Sequence, residues 1–215
     1  DPRVTYLAEE GRWLLVYFGI SPTHSVTPVL LSTTDWENFE RICIPVPPSN
    51  KDVSVFPEKI NGAYVLRHRP MPKMLAQPSM WTAYSSDLVH WGRHEMVMGA
   101  RPGEWDSERV GGGGPAIKTE KGWLEFFHAS DYDTIYRLGV LLTALDNPSE
   151  VVYRGGPLME PEADYELTGL LGKVVFTNGA IVDDDGRILL YYGAADSVTC
   201  GAEMQLDELL DSLDL

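Results

Sequence analysis

Four segments of the chain echo one another: "EGRWLLVYFGI", "NGAYVLRHRP", "KGWLEFFHAS" and "DGRILLYYGAA", with glycine turns at residues 11, 62, 122 and 186. Successive turns are 51 to 64 residues apart. A repeat of that length, made of short apolar runs punctuated by Gly, Pro, Asn and Asp, holds about four strands. One such sheet cannot cover its own apolar faces, so the units must stack on one another, as the blades of a β-propeller do. A β-sandwich would show turns about every 8 to 12 residues without the longer echo.

Within each unit the pattern reads as a glycine turn, an inner strand, a second strand, an Asp-containing turn closed by Trp36 or Trp91, and an outer strand. Helical spacing is clear only at the end, where Leu206, Leu209, Leu210 and Leu213 share one face of a short helix or turn. The expected fold is therefore all-β, a propeller with about four blades represented in a single domain spanning residues 1–215.

Charge narrows the partners. A formal net charge of −15 disfavours nucleic acid and anionic membranes, and no apolar run nears the roughly 18 to 20 residues of a membrane span. Two cysteines do not make a disulfide scaffold, which favours a cytoplasmic setting. The chain starts at Asp1, without an initiator Met, and reads as a piece of something longer. Against this acidic background, Lys51, Lys59, Arg67, Arg69, Lys73, Arg93, Arg101 and Arg109 form a basic middle.

Several motifs are set aside. "GGGG" at residues 111–114 lacks the Lys-Ser/Thr of a phosphate loop and suits close backbone packing or ligand approach. "DDDG" at residues 183–186 reads as a hairpin turn, and His90 and His94 flank a glycine in a turn-to-strand region unsuited to zinc. No metal site is expected. What remains is a set of acids and bases expected at the ends of inner strands: Asp1, Lys51, Asp52, Arg69, Arg109, His128 and Asp196. Their convergence on the propeller axis would form one pocket.

The segments "DPRVT", "NKDVSVFPEKINGAYVLRHRP", "WDSERVGGGGPAIKTEKGWLEFFHA", "YRLGVLLTALDNPSEVV", "PEADYELTGLLGKVVFTNGAIV" and "DGRILLYYGAAD" resemble, in order, glycoside hydrolase family 130, the β-mannoside phosphorylases and related β-mannosidases. The resemblance implies a five-bladed β-propeller, with about one blade before "DPR" and a short segment after "DELL". It implies an inverting phosphorylase that cleaves β-mannosides with inorganic phosphate to give α-mannose 1-phosphate. No cofactor is implied; phosphate is the co-substrate and a β-mannoside oligosaccharide the partner, with homo-oligomers left open.

By the same resemblance, Asp1 is the catalytic acid, relaying its proton through the mannosyl 3-hydroxyl, and Arg69, Arg109, His128 and Tyr136 bind phosphate. Lys51 and Asp52 lie at the border of sugar and phosphate, and Asp196 binds a mannosyl hydroxyl. Two alternatives remain open at this point. One is an inverting β-mannosidase using Glu58, Glu162 or Glu166 as base; the other is a carbohydrate-binding propeller without turnover.

Overall fold

The computed structural model describes residues 1–23, 25–72, 74 and 76–213; Lys73 of the expected basic middle lies outside them. Four sheets follow one another along the chain in a propeller arrangement. Blade A runs β1 (Arg3–Leu7), β2 (Arg12–Ser21), β3 (Ser25–Thr33) and β4 (Glu40–Cys43). Blade B runs β5 (Asn50–Val55), β6 (Tyr64–Pro70), β7 (Met80–Ser85) and β8 (Trp91–Met98). Blade C holds β9 (Arg109–Gly112), β10 (Ile117–Thr119), β11 (Gly122–Ser130), β12 (Tyr136–Thr143) and β13 (Val151–Met159), with β9 and β10 both pairing β11. Blade D has β14 (Val175–Val182), β15 (Arg187–Ala194) and β16 (Val198–Gln205), and two short helices, α1 (Asp164–Leu167) and α2 (Leu206–Asp211), complete the chain.

The repeated glycines mark the same place in each blade. Gly11, Gly62, Gly122 and Gly186 all have positive φ, between 61° and 144°, and each leads into or opens the strand next to the innermost one, which is the second strand of its blade when β9 and β10 are counted as one interrupted strand. The strand that the repeat makes most visible is thus the second one, which corrects its reading as the inner strand. The innermost strands β1, β5, β9 and β14 precede it, and β5 touches β1 and β9 while β14 touches β1. The Asp turns recur as well: Asp35 accepts the amides of Glu37 and Asn38, and Asp87 those of Val89 and His90. Trp36 and Trp91 are not equivalent, however. Trp36 sits at φ 62°, a place taken in blade B by Leu88 at φ 65°, while Trp91 opens β8 and donates its indole N–H to the Leu88 carbonyl.

Cores lie between blades. Leu14, Val16 and Leu30 of blade A pack on Val53, Val55 and Leu66 of blade B. Phe56 and Val65 meet Trp123, and Met80 meets Phe127, between blades B and C. Leu124, Phe126 and Leu138 pack on Val175, Ile188 and Leu190 between C and D, where Leu209, Leu210 and Leu213 close the cluster. Every residue of β11 is buried, so this strand shows no apolar alternation and carries Glu125 and His128 into the interior. Burial of those polar groups obliges them to find partners.

Candidate active site

The site begins with a bulge. Lys51 pairs with Arg69 and Ser54 with Arg67, so Asp52 and Val53 of β5 face His68 alone on β6. Asp52 takes a positive φ of 53°, a conformation that Asp tolerates better than most residues. Its carboxylate is buried and engaged on both oxygens. Oδ1 lies 3.3 Å from Arg3 Nη2, and Oδ2 lies 2.6 Å from Arg69 Nε and 3.1 Å from His128 Nε2. The Arg69 contact is a charge contact without an aligned N–H. Burial opposes ionisation of Asp52, but the charge of Arg69, the His128 contact and Arg3 outweigh it and hold the carboxyl far below its ordinary range.

His128 stands directly opposite Gly111 in the β9–β11 ladder. A Cβ on Gly111 would lie 2.1 Å from Asp52 Oδ2 and 2.7 Å from His128 Nε2. The first glycine of "GGGG" is therefore the floor on which the charged cluster rests. Gly113 and Gly114 are crowded by the Phe126 carbonyl and by Asn178 and Gly179, so the run serves close packing at the inner strands. Burial pushes the His128 pKa down to about 4 despite the opposing pull of Asp52, leaving a neutral imidazole at pH 7. Its ring lies 4.1 Å from that of Phe176, tilted by 37°.

Arg3 locks the cluster from behind. It is buried and donates from Nε to the Gly113 carbonyl (2.5 Å), from Nη1 to the Asp1 carbonyl (3.2 Å) and from Nη2 to the Gly112 carbonyl (3.1 Å) as well as to Asp52. Sequence reasoning missed this residue. The signal was the alternation of "RVTYL", whose buried positions Arg3, Thr5 and Leu7 share one face.

In front of the cluster lies a cavity of about 240 Å³. Seven of the eight expected site residues line it: Asp1, Lys51, Asp52, Arg69, Arg109, Tyr136 and Asp196. Met71, Leu171, Val174 and Phe176 supply apolar wall. His128 is the exception, for it lies behind the wall with its Nε2 committed to Asp52. Arg109 donates from Nη1 to the Tyr136 hydroxyl (3.2 Å) and pairs with Glu108, whose other oxygen takes the Ser130 hydroxyl (2.9 Å). Asp196 sits at φ 51° in the turn after β15, held there by the Ser197 amide donating to Ala194 (3.0 Å). Three larger cavities, about 360, 560 and 670 Å³, contain none of the eight among their lining residues.

The basic middle is not a continuous patch. Arg67 is buried against Glu125, while Lys59, Arg93 and Arg101 pair with Glu10, Glu95 and Asp106. Of that group, Lys51, Arg69 and Arg109 reach the cavity. The three candidate bases of the hydrolytic reading do not line it. Glu58 pairs with Lys118 at 2.6 Å, Glu162 is exposed elsewhere, and Glu166 is buried, accepting the amides of Glu162 and Ala163 and the Tyr192 hydroxyl. Among the described residues no group of three or more His, Cys, Asp and Glu could hold a metal ion, and no helix is long and apolar enough to cross a membrane.

Guanidinium donors and an ammonium facing carboxylates across a small cavity define a protein that can hold an oxyanion beside a polyhydroxylated ligand. A family model described as beta-1,4-mannooligosaccharide phosphorylase matches residues 1–215, and the chain belongs to that family, glycoside hydrolase family 130. It is 42% identical to a β-1,2-mannobiose phosphorylase of Listeria innocua over 216 residues, 100% of this chain and 60% of the relative. It is 38% identical to a 1,2-β-oligomannan phosphorylase of a Thermoanaerobacter species, over 97% of this chain and 69% of the relative. The solved structure of the Listeria innocua β-1,2-mannobiose phosphorylase in complex with β-1,2-mannobiose superimposes with a TM-score of 0.94 at 41% identity, over 100% of this chain and 60% of that one. The chain thus spans about 60% of the length of that relative.

Proposed function

We propose that this chain carries the active site of an inverting phosphorylase that cleaves β-mannosides, and that its substrates are β-1,2-linked. The observation that carries this reading is the arrival of Arg69, Arg109 and Lys51 in the same small cavity as Asp1. The β-1,2 assignment follows the Listeria innocua and Thermoanaerobacter relatives, whose names specify that linkage.

In this reading inorganic phosphate is gripped by the two guanidinium groups, with the Tyr136 hydroxyl on Arg109 fixing one of them. Fixed donors hold the anion in line with the anomeric carbon at little reorganisation cost. A phosphate oxygen bonds to C1 as the glycosidic C1–O bond breaks on the opposite face. The leaving oxygen takes a proton relayed from Asp1 through the mannosyl 3-hydroxyl, giving α-mannose 1-phosphate and the shortened acceptor. Asp196 and Lys51 bind sugar hydroxyls. Asp52 in the wall orients Arg69, and His128 behind the wall holds Asp52. Because phosphate brings its own nucleophilic oxygen, no second carboxylate is needed to activate water. The positions of Glu58, Glu162 and Glu166 away from the cavity favour this over hydrolysis.

The test is product analysis with β-1,2- and β-1,4-mannobiose, each with and without phosphate. Release of α-mannose 1-phosphate only when phosphate is present is the expected result, with the β-1,2 substrate turned over faster. Free mannose appearing at the same rate without phosphate would overturn the assignment.

A further inference from the structure

One carboxylate in the buried cluster is shared by two guanidinium groups, and the two are used very differently. Arg3 spends its donors on protein: Nε, Nη1 and Nη2 all have partners, three of them backbone carbonyls. Arg69 touches Asp52 through Nε, and among the described residues its Nη1 and Nη2 make no hydrogen bond. Arg69 borders the cavity while Arg3 does not. With the His128 ring neutral, Arg3, Asp52 and Arg69 together carry one uncompensated positive charge.

We propose that Arg3 is a positioning residue for phosphate, acting as the dedicated counter-ion of Asp52 so that the excess charge of the cluster is expressed at Arg69. The proposal rests on the phosphorolytic reading. Without Arg3, Asp52 would neutralise Arg69 as a closed pair, and an incoming anion would meet a carboxylate with no charge left over to offset it. Gly111 enforces the arrangement, since any side chain there would drive Asp52 away from Arg69 and His128. Arg3 also holds the carbonyl of Asp1, tying the proposed acid to the same framework.

The experiment measures the KM for phosphate and for β-1,2-mannobiose in the parent, Arg3→Met, Asp52→Asn and the double variant. Saturable phosphate dependence in the parent tests the phosphorolytic reading by itself; without it that reading fails, whatever the variants do. Given that dependence, Arg3→Met is expected to raise the phosphate KM at least tenfold with a change under threefold in the mannobiose KM. The double variant, which restores the single excess charge but forfeits the Asp52 contact to Arg69, is expected to recover part of the loss, with a phosphate KM at least threefold below that of Arg3→Met. A double variant as poor as Arg3→Met would overturn the proposal, because the restored net charge would then have restored nothing at Arg69; recovery of thermal stability without recovery of the phosphate KM would likewise overturn it, marking Arg3 as a structural counter-ion only. Arg3→Lys guards against misfolding: it keeps the charge and sheds carbonyl bonds, so it is expected to lower thermal stability while leaving the phosphate KM within threefold. An Arg3→Lys phosphate KM as high as that of Arg3→Met would also overturn it.

Discussion

Arg67 and Arg69 leave the same face of β6 two residues apart, and both are buried. Arg67 is closed on itself. Its Nε and Nη2 form a fork with Glu125 (2.9 and 2.6 Å), the Thr82 hydroxyl takes Nη1, Thr143 adds a bond to Nη2, and the Phe56 ring lies 4.9 Å away. Arg69 shares its one carboxylate with Arg3 and His128 and faces a cavity. The same side chain on the same strand is a blade-to-blade rivet in one place and a cavity-facing charge in the other. What separates them is whether the neighbouring carboxylate belongs to one guanidinium or to two.

The sharpest way to break the comparison is Arg67→Ala, which strands Glu125 as an unpaired buried charge. A loss of about 3 to 5 kcal/mol is expected in urea unfolding, and a loss under about 1 kcal/mol would mean that Arg67 is no more structural than its neighbour. Arg69→Ala should instead leave a folded protein while α-mannose 1-phosphate formation falls roughly a thousandfold, about 4 kcal/mol of transition-state stabilisation. Binding of mannobiose alone should suffer less, and parent-like activity would refute the role of Arg69.

Acid should separate the two positions in a different way. The folded-state pKa of His128 is depressed to about 4, so the stability tied to its neutral form is present above the unfolded pKa of 6.5 and is lost as pH falls towards 4. The loss is about 3 kcal/mol over that window. Asp52, also depressed, adds to the loss at still lower pH. Thermal unfolding from pH 7 to 4 should show this slope, and His128→Gln should reduce it, leaving the part due to His68, whose pKa burial lowers to about 3; an unchanged slope would place the titrating group elsewhere. Gly111→Ala comes next, because the added carbon must displace Asp52 or His128. About 1 to 3 kcal/mol of stability should go, with a higher phosphate KM. The smallest effect belongs to Glu58→Gln at an exposed ion pair, with under about 1 kcal/mol in stability and unchanged activity. Loss of turnover there would revive Glu58 as a hydrolytic base.

Much of this was legible in the sequence where local rules dominate. The positive-φ glycines and the apolar second strands repeat because every blade needs the same hairpin and the same two-sided packing. The innermost strands were legible only in part. β5 and β14 carry apolar residues that mark them as strands, whereas β9 is short and glycine-rich, and its character is set by what converges on it rather than by a pattern of its own. Residues in the cavity carried motif signals beside Pro, Gly or aromatic neighbours. His128 carried the same signal yet ended behind the wall, because only the ladder with Gly111 decides which way it faces. The basic middle misled for a related reason: Arg67 and Glu125 are 58 residues apart, and no local reading joins them.

The most direct measurement is calorimetric titration of inorganic phosphate into the parent protein and Arg69→Met under identical salt. One saturable site in the parent that disappears in the variant is the result that a shared carboxylate and an open guanidinium require. Phosphate binding that survives undiminished in Arg69→Met would contradict it, and with it the distinction between the two arginines of β6.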